Sequence, residues 1–256
     1  MRLARYMVGF ALAFALGTAQ AAVFTLDTTI GGDGTPIAAS ADFTWNGNVL
    51  DLHLSNDTGS IGKIIQELTG IHFTLSGDPT LVGVSGMAEG SVNCVGVAAN
   101  APCNFASTPV DAFGTPPDLD GHGASPNGWT FLPNYALFTF AAGAGSFKPY
   151  GIVNDSITGS GTSGGTSNAQ HNPTLLGPVD FQFTFAPFDA TPNVTGIQFY
   201  WGTGGDHRAG SCTSDCPFGR LVADPVPEPQ SLALVVLGLI AMAATASRRR
   251  RTTTVA

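Results

Sequence analysis

Positive charge is what this chain has least of. It carries 10 Lys+Arg against 18 Asp+Glu, and six of the ten cations sit at the ends, as Arg2, Arg5 and Arg248 to Arg251. Between residues 22 and 229 only Lys63, Lys148, Arg208 and Arg220 remain, facing all 18 acids, so this part has a net charge of about −14. Without a basic patch to neutralise phosphates, nucleic acid is excluded as a partner of this region, and so are anionic lipid surfaces. Charged residues of both signs make up only 11% of the chain, so Ser, Thr, Asn and Gly carry its polarity. The 17 phenylalanines can build a core, which separates it from an acidic disordered tail.

Cysteine is scarce as well. The four fall in two local pairs, Cys94 with Cys103 and Cys212 with Cys216. Four cysteines allow three connectivities, and proximity favours the two local bridges. Cys212-Thr-Ser-Asp-Cys216 has the spacing of a metal or redox motif only loosely, with His207 as the one further soft ligand nearby. No repeat recurs at a fixed period, and no stretch carries a strong helical pattern; Gly62 to Leu68 reads as one short helix at most.

Alternation with period two is abundant instead. Leu50, Leu52 and Leu54 fall on one face of a segment that puts Asp51 and His53 on the other. Ile71 to Leu75, Val179 to Phe185 and Ile197 to Trp201 repeat the pattern, and weaker strands are expected at 23–26, 42–45, 81–84, 91–97, 129–132 and 136–140. Asn46-Gly47, Asp78-Pro79, Asn127-Gly128 and Ala186-Pro187 supply turns between them. About ten strands predict an all-β domain over residues 22–225, a single β-sandwich or jelly roll, with a closed barrel as the alternative. The Gly/Ser/Thr stretch at 158–168 reads as a loop inserted between strands.

The two ends carry address information. Arg2 and Arg5, the apolar run from Met7 to Leu16, and Ala19-Gln20-Ala21 make a secretory signal peptide over residues 1–21, cut before Ala22; an uncut signal anchor is the alternative. Export to an oxidising compartment makes disulfides the default state of the cysteines. At the other end Val226-Pro227-Glu228-Pro229 precedes an apolar run, and then Arg248, Arg249, Arg250 and Arg251. Proline lacks an N–H and fixes φ, so this segment cannot extend a helix or a central strand and is expected to be extended and exposed. Residues 222–229 then read as a tether. The apolar run is a transmembrane helix candidate whose arginines favour the cytoplasmic side. Its 16 residues from Ser231 to Ala246 span about 24 Å as helix, less than a hydrocarbon core of about 30 Å.

This order of motif, short helix and arginine cluster over residues 226–251 resembles the PEP-CTERM sorting signal of Gram-negative bacteria. The resemblance implies recognition of Pro227, Glu228 and Pro229 by an exosortase, an integral-membrane processing enzyme. It further implies a transient inner-membrane intermediate, Arg248 to Arg251 as the cytoplasmic stop, removal of the tail, and delivery to the cell surface or the exopolysaccharide matrix. Thr252 to Ala256 extend past the arginines and depart slightly from the pattern. A permanent C-terminal anchor is the competing reading. Residues 22–225 lie outside the resemblance.

Chemistry-bearing motifs are few, and the chain reads as non-enzymatic. Gly161-Thr162-Ser163-Gly164-Gly165 matches G-x-S-x-G, but the strand before and the helix after that a nucleophile elbow requires are missing from the pattern. Asp118 and Asp120, followed by Gly121, can wrap a hard cation, which makes Ca²⁺ the one cofactor on offer. Position 12 of that loop is Trp129 where an EF-hand needs Glu, so the alternative is a polar turn after Pro116-Pro117. Asp206 and His207, beside a surface Trp201, offer a weak hydrolase site with no second carboxylate assignable. Trp45, Trp129, Tyr150 and Trp201 could stack on polysaccharide, although core or rim packing is the ordinary role of such residues. The expected role is structural or interactive at the cell surface, with a carbohydrate- or calcium-binding module second and a secreted hydrolase third.

Overall fold

Alternation in the sequence becomes alternation in burial, and the two together define an all-β body. A computed structural model describes residues 21–30, 34–117, 128–132, 135–139, 149–161, 165–202, 221–222 and 224–226. The strands are β1 (Ala21–Ile30), β2 (Thr35–Asn46), β3 (Val49–Asn56), β4 (Leu68–Leu75), β5 (Leu81–Asn93), β6 (Asn104–Ala106) and β7 (Val110–Asp111). They continue as β8 (Thr130–Leu132), β9 (Ala136–Phe138), β10 (Ile152–Val153), β11 (Thr174–Phe185), β12 (Val194–Trp201), β13 (Leu221–Val222) and β14 (Asp224–Val226). All belong to one mixed sheet, ordered β13-β12-β4-β10-β11-β3-β2-β1-β14, with β5 added to β11 and extended by β6 and β7. The β10–β11 pair is parallel and the other strand pairs are antiparallel.

The expected strands around Leu50, Phe73, Phe183 and Phe199 all form. Leu50, Leu52 and Leu54 of β3, and Val179, Phe181, Phe183 and Phe185 of β11, are each at most 1% exposed. The sheet folds over so that its apolar face closes on itself: Phe73 of β4 packs against Phe43 of β2 at 5.2 Å and Phe183 of β11 at 5.3 Å between ring centroids. Such edge-to-face pairs add to the area they bury. The tight β2–β3 connection needs Gly47, whose φ of +63° lies in the left-handed region. On β5, Gly86 lies under Phe181, where a Cβ would come within 2.5 Å of the ring.

Several local expectations are corrected. The segments at 81–84 and 91–97 are not two strands; a single 13-residue strand, β5, runs through Glu89 and Gly90 and ends at Asn93. The helix expected over Gly62 to Leu68 shrinks to a 3₁₀ turn at Ile64–Gln66. There the Gln66 side chain accepts from the backbone N–H of Gly62 and Lys63 and donates to the carbonyls of Pro36 and Ser60, closing the turn before β4 begins. Residues 222–226 are not a free tether either. Leu221–Val222 pairs with β12, and Asp224–Val226 lies along β1 with Val226 opposite Val23. Pro225 fits there because β14 ends the sheet, where a strand can do without one N–H.

Candidate functional site

The four long strands β2, β3, β11 and β5 bury one face, so whatever they present outward is fixed in position by the core beneath. Register sets two polar rows across that outer face. In the first, Asp42, His53, Asp180 and Met87 are successive partners, continued by Asp111 of β7. In the second, Thr44, Asp51, Gln182 and Ser85 are successive partners. These residues, Asp111 excepted, line a groove of about 380 Å³, floored by Leu52, Gly86 and Phe181. That volume falls at the lower end of the range for small-ligand sites, about 300–1,000 Å³.

Hydrogen bonds organise part of it. His53 Nδ1 lies 2.6 Å from Asp180 Oδ1, which places the imidazole proton on Nδ1, since a carboxylate only accepts. Gln182 Nε2 donates to Asp51 Oδ1 at 3.0 Å. Asp42 differs: its Oδ1 is closed off from solvent and accepts no hydrogen bond. Among the described residues no lysine or arginine lines the groove. Lys63 is the only such residue among those described, and its Nζ lies 3.2 Å from Thr35 Oγ1. The groove therefore offers acceptors, one amide, two hydroxyls and an imidazole under a negative potential. Among the described residues no group of three His, Cys, Asp or Glu converges as a metal site.

A second buried polar feature lies at the start of β4. Glu67 is 0% exposed and neither carboxyl oxygen has a partner. Burial pushes its pKa well above the usual carboxylate range.

The residues expected from sequence are distributed as follows. Cys94 and Cys103 form a disulfide with Cα atoms 4.7 Å apart; Cys212 and Cys216 lie outside the described residues. Ala21 and Ala22 begin β1, opposite Thr44 and Phe43, and Val226 ends β14. Ala19, Asp118, Asp120, Asp206, His207, Pro227, Glu228, Pro229 and Arg248 to Arg251 lie outside the described residues, as does Ser163 of the G-x-S-x-G match. Among the described residues no helix is long and apolar enough to cross a membrane, and the run from Ser231 to Ala246 is not among them.

Of the two readings of the aromatic candidates, core packing is the one that holds, and sugar stacking is not. Trp45, Trp129, Tyr150 and Trp201 are all at most 6% exposed. Trp201 is a core residue at the end of β12 and not a surface platform. Trp129 donates its indole N–H to the Tyr150 carbonyl at 2.9 Å. His53 lies on the outward face of β3 as expected, its side chain 51% exposed and paired with Asp180.

Sequence reasoning placed Asp51, His53, Asp180 and Gln182 on the polar faces of their strands but did not assemble them. The partners are separated by 127 and 131 positions, and single-strand periodicity contains no information on which strands become neighbours. No protein-family model, no curated protein and no solved structure matches this chain.

Proposed function

We propose that this protein is an exported, non-enzymatic module of the cell surface or exopolysaccharide matrix, carried there by its signal peptide and PEP-CTERM-like tail. Its body is best described as a β-sandwich, because the sheet brings Phe43 and Phe183 on one side against Phe73 on the other. The observation that carries the reading is the pairing of β1 with β14. Val23 lies opposite Val226 in an antiparallel register, so the export segment before Ala21 and the sorting segment after Val226 leave the body at the same corner. Both membrane-directed segments then serve one membrane face without threading the chain around the domain. The Cys94–Cys103 bridge suits the oxidising destination.

The intact mass of the chain recovered from the host envelope and medium tests this. A species beginning near Ala22 and ending near Pro229 is expected. A species that keeps Leu232 to Arg251 identifies a permanent anchor and rejects sorting.

A binding role is the second reading, and the outer groove favours it. Polar side chains from four strands converge on one shaped surface, which a purely structural module does not require. Calcium binding remains attached to Asp118 and Asp120, and a rise in melting temperature with added Ca²⁺ that disappears in Asp118→Asn tests it.

A further inference from the structure

We infer that the fold activates the Asp78–Pro79 peptide bond for self-cleavage, with the Asp78 carboxyl as the nucleophile. Backbone strain marks the bond. The residue before a proline is pushed to extended backbone, with φ near about −120°, because the proline Cδ crowds it. Asp78 instead has φ +45°. Tyr135, whose hydroxyl lies 2.9 Å from Asp78 Oδ1, is left-handed as well, at φ +59°, a rare conformation for a bulky residue. Such positions persist only where the surroundings impose them, and cutting the bond after Asp78 releases its share of the strain. The chain holds a second Asp-Pro bond, Asp224–Pro225, and there Asp224 lies extended in β14, paired along β1. Of two chemically similar bonds, the fold thus strains one and leaves the other relaxed.

The chemistry needs only this chain and water. An oxygen of the Asp78 carboxyl attacks the main-chain carbonyl carbon of Asp78 and closes a cyclic anhydride. The bond to the Pro79 nitrogen breaks, and that nitrogen leaves as a secondary amine with the proton the carboxyl gives up. One water then opens the anhydride and leaves Asp78 as a free C-terminus. Asp78 is exposed, so water reaches it. Tyr135 is the positioning residue. Its hydroxyl reaches Asp78 Oδ1 at 2.9 Å and the Pro79 carbonyl oxygen at 2.8 Å, which holds the carboxyl alongside the bond between the two residues. A phenol has one proton to give. When Asp78 is protonated, its carboxyl O–H donates to the phenol oxygen and the phenol donates to the Pro79 carbonyl. The cut falls between β4 and β5, which pair with other strands and not with each other. Ser76 N–H donates to the Asn193 carbonyl at 2.9 Å, and Ala186 N–H donates to the Thr80 carbonyl at 2.8 Å. Both new ends are thereby held, and the cleaved protein is a two-chain body with the same sheet.

Intact-mass analysis of the full-length chain in mild detergent tests this, at about pH 4, where carboxyl groups are partly protonated. The same chain in guanidinium at that pH gives the rate without the fold. The folded chain is expected to yield one piece ending at Asp78 and one beginning at Pro79, at least tenfold faster than the denatured chain. Asp224–Pro225 is expected to stay whole over that time. Asp78→Asn keeps a residue that tolerates positive φ but lacks the carboxyl, and it should abolish the cut. Tyr135→Phe should slow the cut severalfold with Asp224–Pro225 still whole, which separates lost positioning from lost folding. Equal rates in the folded and denatured chains, equal cleavage at both Asp-Pro bonds, or an undiminished cut in Asp78→Asn overturns the inference. An undiminished cut in Tyr135→Phe overturns the positioning role of Tyr135. The export reading is judged at the mature ends near Ala22 and Pro229, so its failure and this one are read at different residues.

Discussion

Glu67 shows most clearly how one residue couples this fold to pH. Its carboxyl is fully buried with both oxygens unpartnered, and desolvation raises its pKa well above normal. In the unfolded chain the same group titrates near about 4.3. As pH rises past that value the unfolded state releases its proton first, while the folded state still holds it. Stability therefore falls with rising pH until the folded pKa is passed. Glu67→Gln cannot ionise. It should raise the melting temperature at pH 8, leave it nearly unchanged at pH 4, and flatten the profile between them. A profile with the wild-type slope would mean the carboxyl is solvated or paired.

Tyr135 makes a complementary case. Burial first, and then its hydrogen bond to Asp78 at 2.9 Å, push its pKa up to about 12. Ultraviolet titration should show one tyrosine ionising near that value. Asp78→Asn should lower it only part of the way to 10, because burial is the larger cause. Full recovery to 10 would assign the shift to Asp78 alone.

At the scale of elements, the strongest test of the folded-over sheet is Phe183. It is fully buried and touches Phe73 of β4 and Phe131 of β8 across the core, at 5.3 and 5.2 Å between centroids. Phe183→Ala should cost about 3–5 kcal/mol. Gln182→Ala, one residue along on the outer face, should stay within about 0.5 kcal/mol. Chemical denaturation separates the two, and equal effects would contradict the alternation. That alternation was legible beforehand: Val179 to Phe185 announces which four residues face inward. The Cys94–Cys103 bridge was legible too, from nine residues of separation.

What stayed hidden has physical reasons. The two residues of β10 are too short to show a period, yet they join β4 to the parallel partner β11. The interruption expected between 84 and 91 vanishes because glycines 86 and 90 let β5 lie close against Phe181 and the Ala106 carbonyl. Trp201 ends an alternating strand, so its inward face followed from Ile197 and Phe199, but its place beside a polar Gly/Asp loop suggested surface. The Asp42–His53–Asp180 row depends on lateral order, which no single segment encodes.

For the whole molecule, the decisive geometry is where the two ends of the body meet. β1 opens the described chain and β14 closes it, and they are neighbours at one end of the sheet. Val23 and Val226 are direct Cα partners in the register of β1 and β14, and backbones paired in this way lie within the Cα separation that a disulfide spans. The double variant Val23→Cys, Val226→Cys should therefore cross-link under oxidising conditions. Peptide mapping without reductant should recover residues near 23 joined to residues near 226, with Cys94 still joined to Cys103. Either cysteine alone should give no such peptide. If the cross-link fails to form, the ends are apart, and the reading of both segments as serving one membrane face loses its structural basis.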